Sequence, residues 1–357
     1  MALDNQAAQE ALRTVRYPGF SRDIVSFGLV RGVDIAPSGK VTVGLAVTTA
    51  DRQIPVQLHE QATAALKAAG FPEAEVTVSV TVPKTAPAAA QVVTGPTGEA
   101  GVGKVRAIVA VASGKGGVGK STVSVNLACA LARILSDRGR AGKVGLMDCD
   151  IYGPSVPLML GVRERPMIEG DVLLPPEGYG VKAISMGLLI DEDAPVIWRG
   201  PMVMKTISQF ASNVRWGELD VLVVDLPPGT GDAQLSIAQS MALSGAIVVT
   251  TPQTAAVSVA LRGAAMFGQV KVPILGVVEN MSYFADDQGR RQHLFGQGGG
   301  QKVAAQLGTE FLGEVPLEPA VRQGGDHGIP VVVSHPDSLA GRAFHALALR
   351  LLQLLGQ

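Results

Sequence analysis

AIVAVASGKGGVGKSTVSVNLACALA, residues 107–132, is the stretch from which the rest of the chain is read. It opens on a run of β-branched and small residues (Ile108, Val109, Val111) with the character of a buried strand. A glycine-rich turn follows, and then Val123, Leu127, Leu131 and Leu135 recur at helical spacing. Between strand and helix, Gly114-x-x-x-x-Gly119-Lys120-Ser121 has the spacing of a phosphate-binding loop in the context such a loop requires. Glycines let successive backbone N–H groups turn inward around a phosphate, and the new helix adds its positive N-terminal end. Lys120 is then placed to reach the β- and γ-phosphates, and the Ser121 hydroxyl to hold Mg²⁺.

Two other readings compete for glycines in this part of the chain. Gly114-x-Gly116-x-x-Gly119 also fits a dinucleotide fingerprint, with Asp148 or Asp150 ending the next strand where a ribose-binding acid would sit. That fingerprint gives no reason for Lys120-Ser121. Upstream, Gly98-x-x-x-x-Gly103-Lys104 repeats the loop spacing. There Val105 replaces the magnesium-binding hydroxyl, and the glycines precede a strand instead of following one, so the segment is expected to be a linker.

The chain of 357 residues has room for about two domains. Its 47% hydrophobic content includes only 4% aromatic residues, so the core is expected to be aliphatic, as in buried parallel sheets. A formal net charge of −1 gives no global basic surplus for nucleic-acid binding. Residues 1–15 lack a cationic region followed by an apolar one, and no apolar run reaches the ~18 residues of a membrane span. Two cysteines make no disulfide framework. The expectation is a cytoplasmic protein with no membrane or nucleic-acid partner.

Residues 1–82 are expected to form a small α+β domain. Helical patterns cover 7–15 and 59–69, and strand patterns cover 24–30, 40–47 and 75–80, with Pro37-Ser38-Gly39 as a turn. Residues 83–104 shift to Pro, Ala, Thr and Gly without apolar periodicity, as a flexible linker does. From 105 to 357 strand and helix signals alternate: strands at 144–147, 181–185, 221–225, 246–250, 274–278 and 311–315, and helices at 202–211, 233–243, 257–267 and 301–307. Such alternation predicts a doubly wound, mostly parallel α/β sheet with ligands at the carboxyl ends of its strands. Residues 339–355 spread their apolar positions too widely for a basic membrane anchor and are expected to cover the sheet.

Acids follow two of those strands. In Asp148-Cys149-Asp150 the alternation puts both carboxylates on one side and the thiol on the other. Asp225, directly after Leu222-Val223-Val224, fits the second magnesium-associated acid of a phosphate-loop enzyme, the rival reading being a helix cap. Pro227-Pro228-Gly229-Thr230-Gly231 then has the composition of a γ-phosphate-sensing switch.

Lys115 lies inside the loop, giving Gly114-Lys115-Gly116-Gly117-Val118-Gly119-Lys120-Ser121-Thr122. This resembles the deviant Walker A loop of the MinD/ParA class of P-loop ATPases. Within that class the chain is similar to the Mrp-type iron–sulfur cluster carriers. The match rests on Met147-Asp148-Cys149-Asp150-Ile151-Tyr152-Gly153-Pro154-Ser155, Trp198-Arg199-Gly200-Pro201-Met202, Asp225-Leu226-Pro227-Pro228-Gly229-Thr230-Gly231-Asp232 and Glu279-Asn280-Met281-Ser282. The leading domain resembles that of iron–sulfur assembly factors. The resemblance implies ATP and Mg²⁺ bound by residues 114–122, with Ser121 and Asp225 at the metal, Asp150 positioning the attacking water and Asn280 near the adenine. It also implies a homodimer in which Lys115 reaches the partner's phosphates, and an iron–sulfur cluster passed to apoprotein clients or assembly factors.

Such carriers usually have Cys-x-x-Cys soon after Asn-Met-Ser. Here residues 283–293 hold no cysteine, and His293 stands alone in what is expected to be an exposed loop. Cys129, among Val125, Ala128 and Leu131, and Cys149, facing away from the phosphates, are both expected to be core residues. The ligands of any cluster are therefore unknown from the sequence. Two alternatives stay open beside the carrier: a nucleotide-switched positioning or adaptor ATPase of the MinD/ParA kind, and a relative that keeps the ATP-driven dimer without a cluster.

Overall fold

The computed structural model describes residues 5–16, 23–25, 29–36, 40–48, 53–81, 100–189, 200–229 and 231–357. The chain divides into two compact units, Met1–Val93 and Thr94–Gln357.

In the first unit, helices α1 (Asn5–Leu12) and α2 (Gln53–Ala68) accompany strands β1 (Val30–Ile35), β2 (Val41–Thr48) and β3 (Ala74–Thr81). β1 runs antiparallel to β2, and β3 runs parallel to β2, so α2 serves as the crossover between β2 and β3. Alternation along β2 sends Val41, Val43, Leu45 and Val47 inward against Leu58, Ala62 and Leu66 of α2. Of the strand expected at 24–30, residues 26–28 lie outside the described residues, and β1 begins at Val30. Ile24 is buried beneath a turn in which the Asp23 carboxylate accepts the Val25 N–H. The expected turn at 37–39, Thr49 to Asp51, and the linker from 83 to 99 lie outside the described residues.

The second unit contains strands β4 (Val105–Ser113), β5 (Val144–Asp148), β6 (Met167–Glu169), β7 (Val172–Leu174), β8 (Glu177–Gly178), β9 (Val181–Ile184), β10 (Leu219–Asp225), β11 (Gly245–Thr250), β12 (Ile274–Asn280), β13 (Phe284–Ala285), β14 (Arg291–Gln292) and β15 (Phe311–Val315). Among the described residues one sheet has the order β15-β12-β11-β4-β10-β5-β9-β8. Every pairing in it is parallel except β8 with β9. Helices α3 (Lys120–Asp137), α4 (Val156–Leu160), α5 (Gly200–Asn213), α6 (Asp232–Ser240), α7 (Thr254–Gln269), α8 (Gly299–Leu307), α9 (Pro319–His327), α10 (Val331–Ser334) and α11 (Leu339–Leu354) complete the unit. The last of them packs on α3 over the sheet, as its spread of apolar positions predicts.

Two aliphatic layers sandwich the sheet. One joins Val123, Leu127 and Leu131 of α3 and Phe344, Leu347 and Leu351 of α11 to Val109, Val111, Leu146 and Val223. The other packs Val203, Ile207 and Phe210 of α5 against Ile108, Met147, Leu222 and Trp216. Burying each such side chain contributes about 1.5–3 kcal/mol, so the layers clamp the sheet and fix where its strands end. Residues 102–104, expected to belong to the linker, form a 3₁₀ turn leading into β4, with the Gly101 N–H donating to the Val214 carbonyl. Among the described residues no helix is long and apolar enough to cross a membrane.

Candidate functional site

Strand β4 ends at Ser113 and helix α3 begins at Lys120, so residues 114–119 turn at the carboxyl edge of the sheet. Gly119 is left-handed, with φ at 79°. A Cβ on it would collide with the Asn280 amide, and one on Gly114 would collide with the Val259 backbone. Those two positions admit nothing larger than glycine. The loop borders a cavity of about 210 Å³ whose wall includes Lys115, Lys120, Ser121, Asp150, Met159 and Pro228. The phosphate loop, its first lysine, the Ser121 hydroxyl and Asp150 thus line one opening.

Beneath the opening lies a buried polar cluster. Lys120 is only 5% exposed and its Nζ stands 2.8 Å from Asp225 Oδ2. The Ser121 hydroxyl donates to that same oxygen at 2.6 Å, and the Ser124 hydroxyl donates to Asp225 Oδ1 at 2.6 Å. Asp225 is fully buried, which requires this degree of compensation for its charge. The Ser121 proton is committed to Asp225 and its oxygen accepts the Lys120 ammonium at 3.3 Å, which leaves one lone pair for a cation. A hydroxyl and a carboxylate in this arrangement fit the oxygen preference of Mg²⁺. Asp225 is thus a sheet-end acid bound into the loop and not a helix cap.

Asp148 is the register partner of Asp225 on the neighbouring strand. Its Oδ1 accepts the Asp150 N–H at 3.0 Å and its Oδ2 accepts the Ser185 hydroxyl at 2.9 Å. Burial, reinforced by the Asp225 charge, pushes the Asp148 carboxyl up to about 7. Its role is to brace the turn that presents Asp150 to the cavity. Lys115 is half-buried, and its Nζ donates to Gln253 Oε1 at 3.3 Å just before α7. The inserted lysine therefore has a local partner, but a neutral one, and among the described residues no carboxylate pairs with it.

Asn280 is 4% exposed and donates from Nδ2 to the Val118 carbonyl at 2.9 Å, propping the loop from behind. Next to it, Met281 is left-handed at φ 54°, and Ser282 donates to the buried Glu279 carboxylate at 2.6 Å. Gly229, at φ 108°, donates its N–H to the Ser113 carbonyl, so the Pro-Pro-Gly turn is tied to the root of the loop. Thr230, Trp198 and Arg199 lie outside the described residues.

The expected open loop at 283–293 is a small hairpin of β13 and β14. Arg291 stacks on the Tyr283 ring at 4.1 Å, and His293 meets that ring edge-on, with Nδ1 3.3 Å from the Ser282 carbonyl. His293 is half-buried in this packing and does not stand free. Both cysteines are core residues, as expected. Cys129 lies in the α3 layer at 3% exposure, and Cys149 lies in the α5 layer at 1%. Burial pushes the Cys129 thiol up to about 12 and also raises that of Cys149. Among the described residues no group of three or more His, Cys, Asp or Glu side chains is placed to hold a metal.

Sequence reasoning missed Ser124, Ser185 and Gln253 as members of the site. Ser124 carried a weak signal, as a hydroxyl one turn after Lys120 between Val123 and Val125. The other two carried none, being joined to the loop only by the tertiary fold.

The family described as NUBPL iron-transfer P-loop NTPase matches residues 104–352, and the iron–sulfur cluster assembly protein family matches residues 5–80. The chain is 45% identical over 356 residues to an iron–sulfur cluster carrier protein of Synechocystis, covering 97% of this chain and 96% of the relative. It is 52% identical over 246 residues to an iron–sulfur protein required for NADH dehydrogenase, mitochondrial, of Arabidopsis thaliana, covering 68% of this chain and 77% of that one. Among solved structures, a nucleotide-binding protein in complex with ADP from Archaeoglobus fulgidus aligns with a TM-score of 0.56 at 37% identity, over 64% of this chain and 88% of that one. The cell division ATPase MinD of Pyrococcus furiosus aligns at 0.51 and 25% identity, over 70% and 99%. A deviant phosphate loop on a MinD-like sheet and a near full-length match to a carrier protein converge: the chain belongs to the NUBPL iron-transfer P-loop NTPase family.

Proposed function

We propose that this chain hydrolyses ATP to ADP and phosphate as the driving step of iron–sulfur cluster delivery to apoproteins, working as a cytoplasmic homodimer. The observation that carries the reading is the Lys120–Asp225–Ser121 cluster beneath the loop's opening. Residues 114–122 would cradle the phosphates with backbone N–H groups, and Lys120 would exchange part of its contact with Asp225 for the β- and γ-oxygens. Mg²⁺, held by Ser121 and supported by Asp225, would supply positive charge at those oxygens. Asp150, held out by Asp148, would orient the attacking water. Lys115 would leave Gln253 for the phosphates of a second copy, where a cation is worth more than beside a neutral amide. Asn280, buried and set back from the wall of the loop cavity, would act on the nucleotide through the loop that it props.

The positioning-ATPase alternative is not favoured, because relatives matched over nearly the whole chain are named as carriers. Calorimetric titration with ATP and ADP, with and without Mg²⁺, tests the reading together with a phosphate-release assay. Saturable binding and Mg²⁺-dependent release are expected, and absence of both would overturn it.

The cluster itself is cargo, and this chain's donors do not fit it. Clusters are held by accessible thiolates, usually four, or by thiolates with histidine. Both thiols here are buried and hold their protons. No step of the hydrolysis mechanism is routed through a cluster.

A further inference from the structure

We infer that this chain never ligates the cluster that it helps to move: the cluster stays on thiolates of a second protein, which this ATPase engages. The inference rests on the carrier reading above and specifies the chemistry of its partner.

The donor inventory is complete. The sequence has 2 cysteines and 5 histidines, and all of them fall within the described residues. Cys129 packs in the layer between the sheet and α11, whereas Cys149 packs in the layer beneath α5, so the sheet separates the two sulfurs. Pairing two copies does not bring them together, since each sulfur is in the interior of its own subunit. His59, His327, His335 and His345 are exposed, and His293 is packed on Tyr283, and among the described residues none joins a group of three or more ligands. Carboxylates remain, and these hard donors match soft iron–sulfur centres poorly. Exposing either cysteine would require opening an aliphatic core layer around the nucleotide site, which would dismantle the ATPase meant to drive delivery.

Transfer under this scheme is a ligand exchange. Fe–S(thiolate) bonds to the donor break as bonds to the acceptor form, acceptor thiols release their protons to solvent or to the freed donor thiolates, and no electron moves. What this chain supplies is nucleotide-dependent engagement of the thiolate-bearing protein.

The test is anaerobic reconstitution of the full chain with ferrous iron and sulfide, alone and together with an apo-ferredoxin as a thiolate-bearing acceptor. Iron counting and sulfide-to-iron charge-transfer absorption follow after the two proteins are separated. Wild type and Cys129→Ala/Cys149→Ala are compared, each with and without Mg·ATP. The expected result is a chain fraction with no iron above the column blank. The ferredoxin cluster should form several-fold faster with chain and Mg·ATP, equally for both forms of the chain. A stoichiometric cluster in the wild-type chain fraction would overturn the inference while leaving the carrier reading standing. An iron-free chain that leaves the ferredoxin rate unchanged would instead overturn the carrier reading on which the inference rests.

Discussion

Two segments of this chain end in Gly-Lys with related glycine spacing, and the fold treats them in opposite ways. Gly103-Lys104 closes a 3₁₀ turn before β4, leaving Lys104 exposed. Gly119-Lys120 follows the same strand and opens α3, and there Lys120 is buried against Asp225. The difference is which end of one strand each lysine meets. At the carboxyl end the parallel sheet gathers Asp148 of β5, Asp225 of β10, an inward-turned backbone and a helix N-terminus, whereas the acid at the amino end of β10, Asp220, is already paired with Arg106 and Arg140. A lysine gains phosphate chemistry from that convergence and not from its neighbours in sequence.

Substitutions can break or sharpen this contrast. Lys120→Ala should have the largest effect, lowering phosphate release by about 1,000-fold, the scale of losing one charged contact to a transition state. Retained hydrolysis would place the active site elsewhere. Asp150→Ala should come next, with about 100-fold slower release but near-normal ATP affinity by calorimetry, because a water-orienting group is lost while the cradle is kept. Lys115→Ala should slow release by about tenfold, the scale of one phosphate contact, and should also abolish an ATP-dependent dimer in light scattering. An identical dimer in wild type and variant would remove the role across subunits.

A smaller effect concerns Asp148, which faces Asp225, Lys120, Asp150 and Cys149. Its folded value of about 7 lies above the ordinary 3.8, so the folded protein keeps a proton that the unfolded chain gives up. Stability should therefore fall as pH rises from about 4 to 7. Asp148→Asn, which preserves an acceptor for the Asp150 amide, should flatten that part of a plot of Tm against pH for the nucleotide-free protein. An unchanged slope would assign the proton to another group. Smallest of all, Lys104→Ala should leave phosphate release as in wild type, and a large loss there would erase the contrast between the two segments.

How much was legible in the sequence follows from the range of each interaction. The run Ile108 to Val111 and residues 221–225 announce themselves because buried parallel strands are aliphatic runs, whereas Arg106 and Asp220 hide where those strands begin. Gly114 to Ser121 does so because its chemistry is local. The hairpins β6–β7 and β13–β14 were missed, since strands of two or three residues are too short to show a period. The Asp148–Ser185 and Lys115–Gln253 contacts join segments far apart in the chain, and only the finished sheet brings them together. The strand expected at 24–30 does not open at Ile24, because that residue is drawn into the core beneath a turn.

The buried thiols make the protein its own strain gauge. Neither Cys129 nor Cys149 can meet an alkylating reagent in the closed fold, and the native environment favours the unreactive thiol over the thiolate. Alkylation must therefore wait for an opening of the layer that holds each sulfur, and its rate counts those openings. Cys129 rides on the helix whose first turn carries Lys120 and Ser121, so it reports on the element that grips the phosphates. Nucleotide that binds only the closed form makes opening rarer in proportion to 1 + [L]/Kd, and labelling at Cys129 should slow by that same factor. Mass spectrometry of the two alkylated peptides would then read local stability on each face of the sheet without any engineered label.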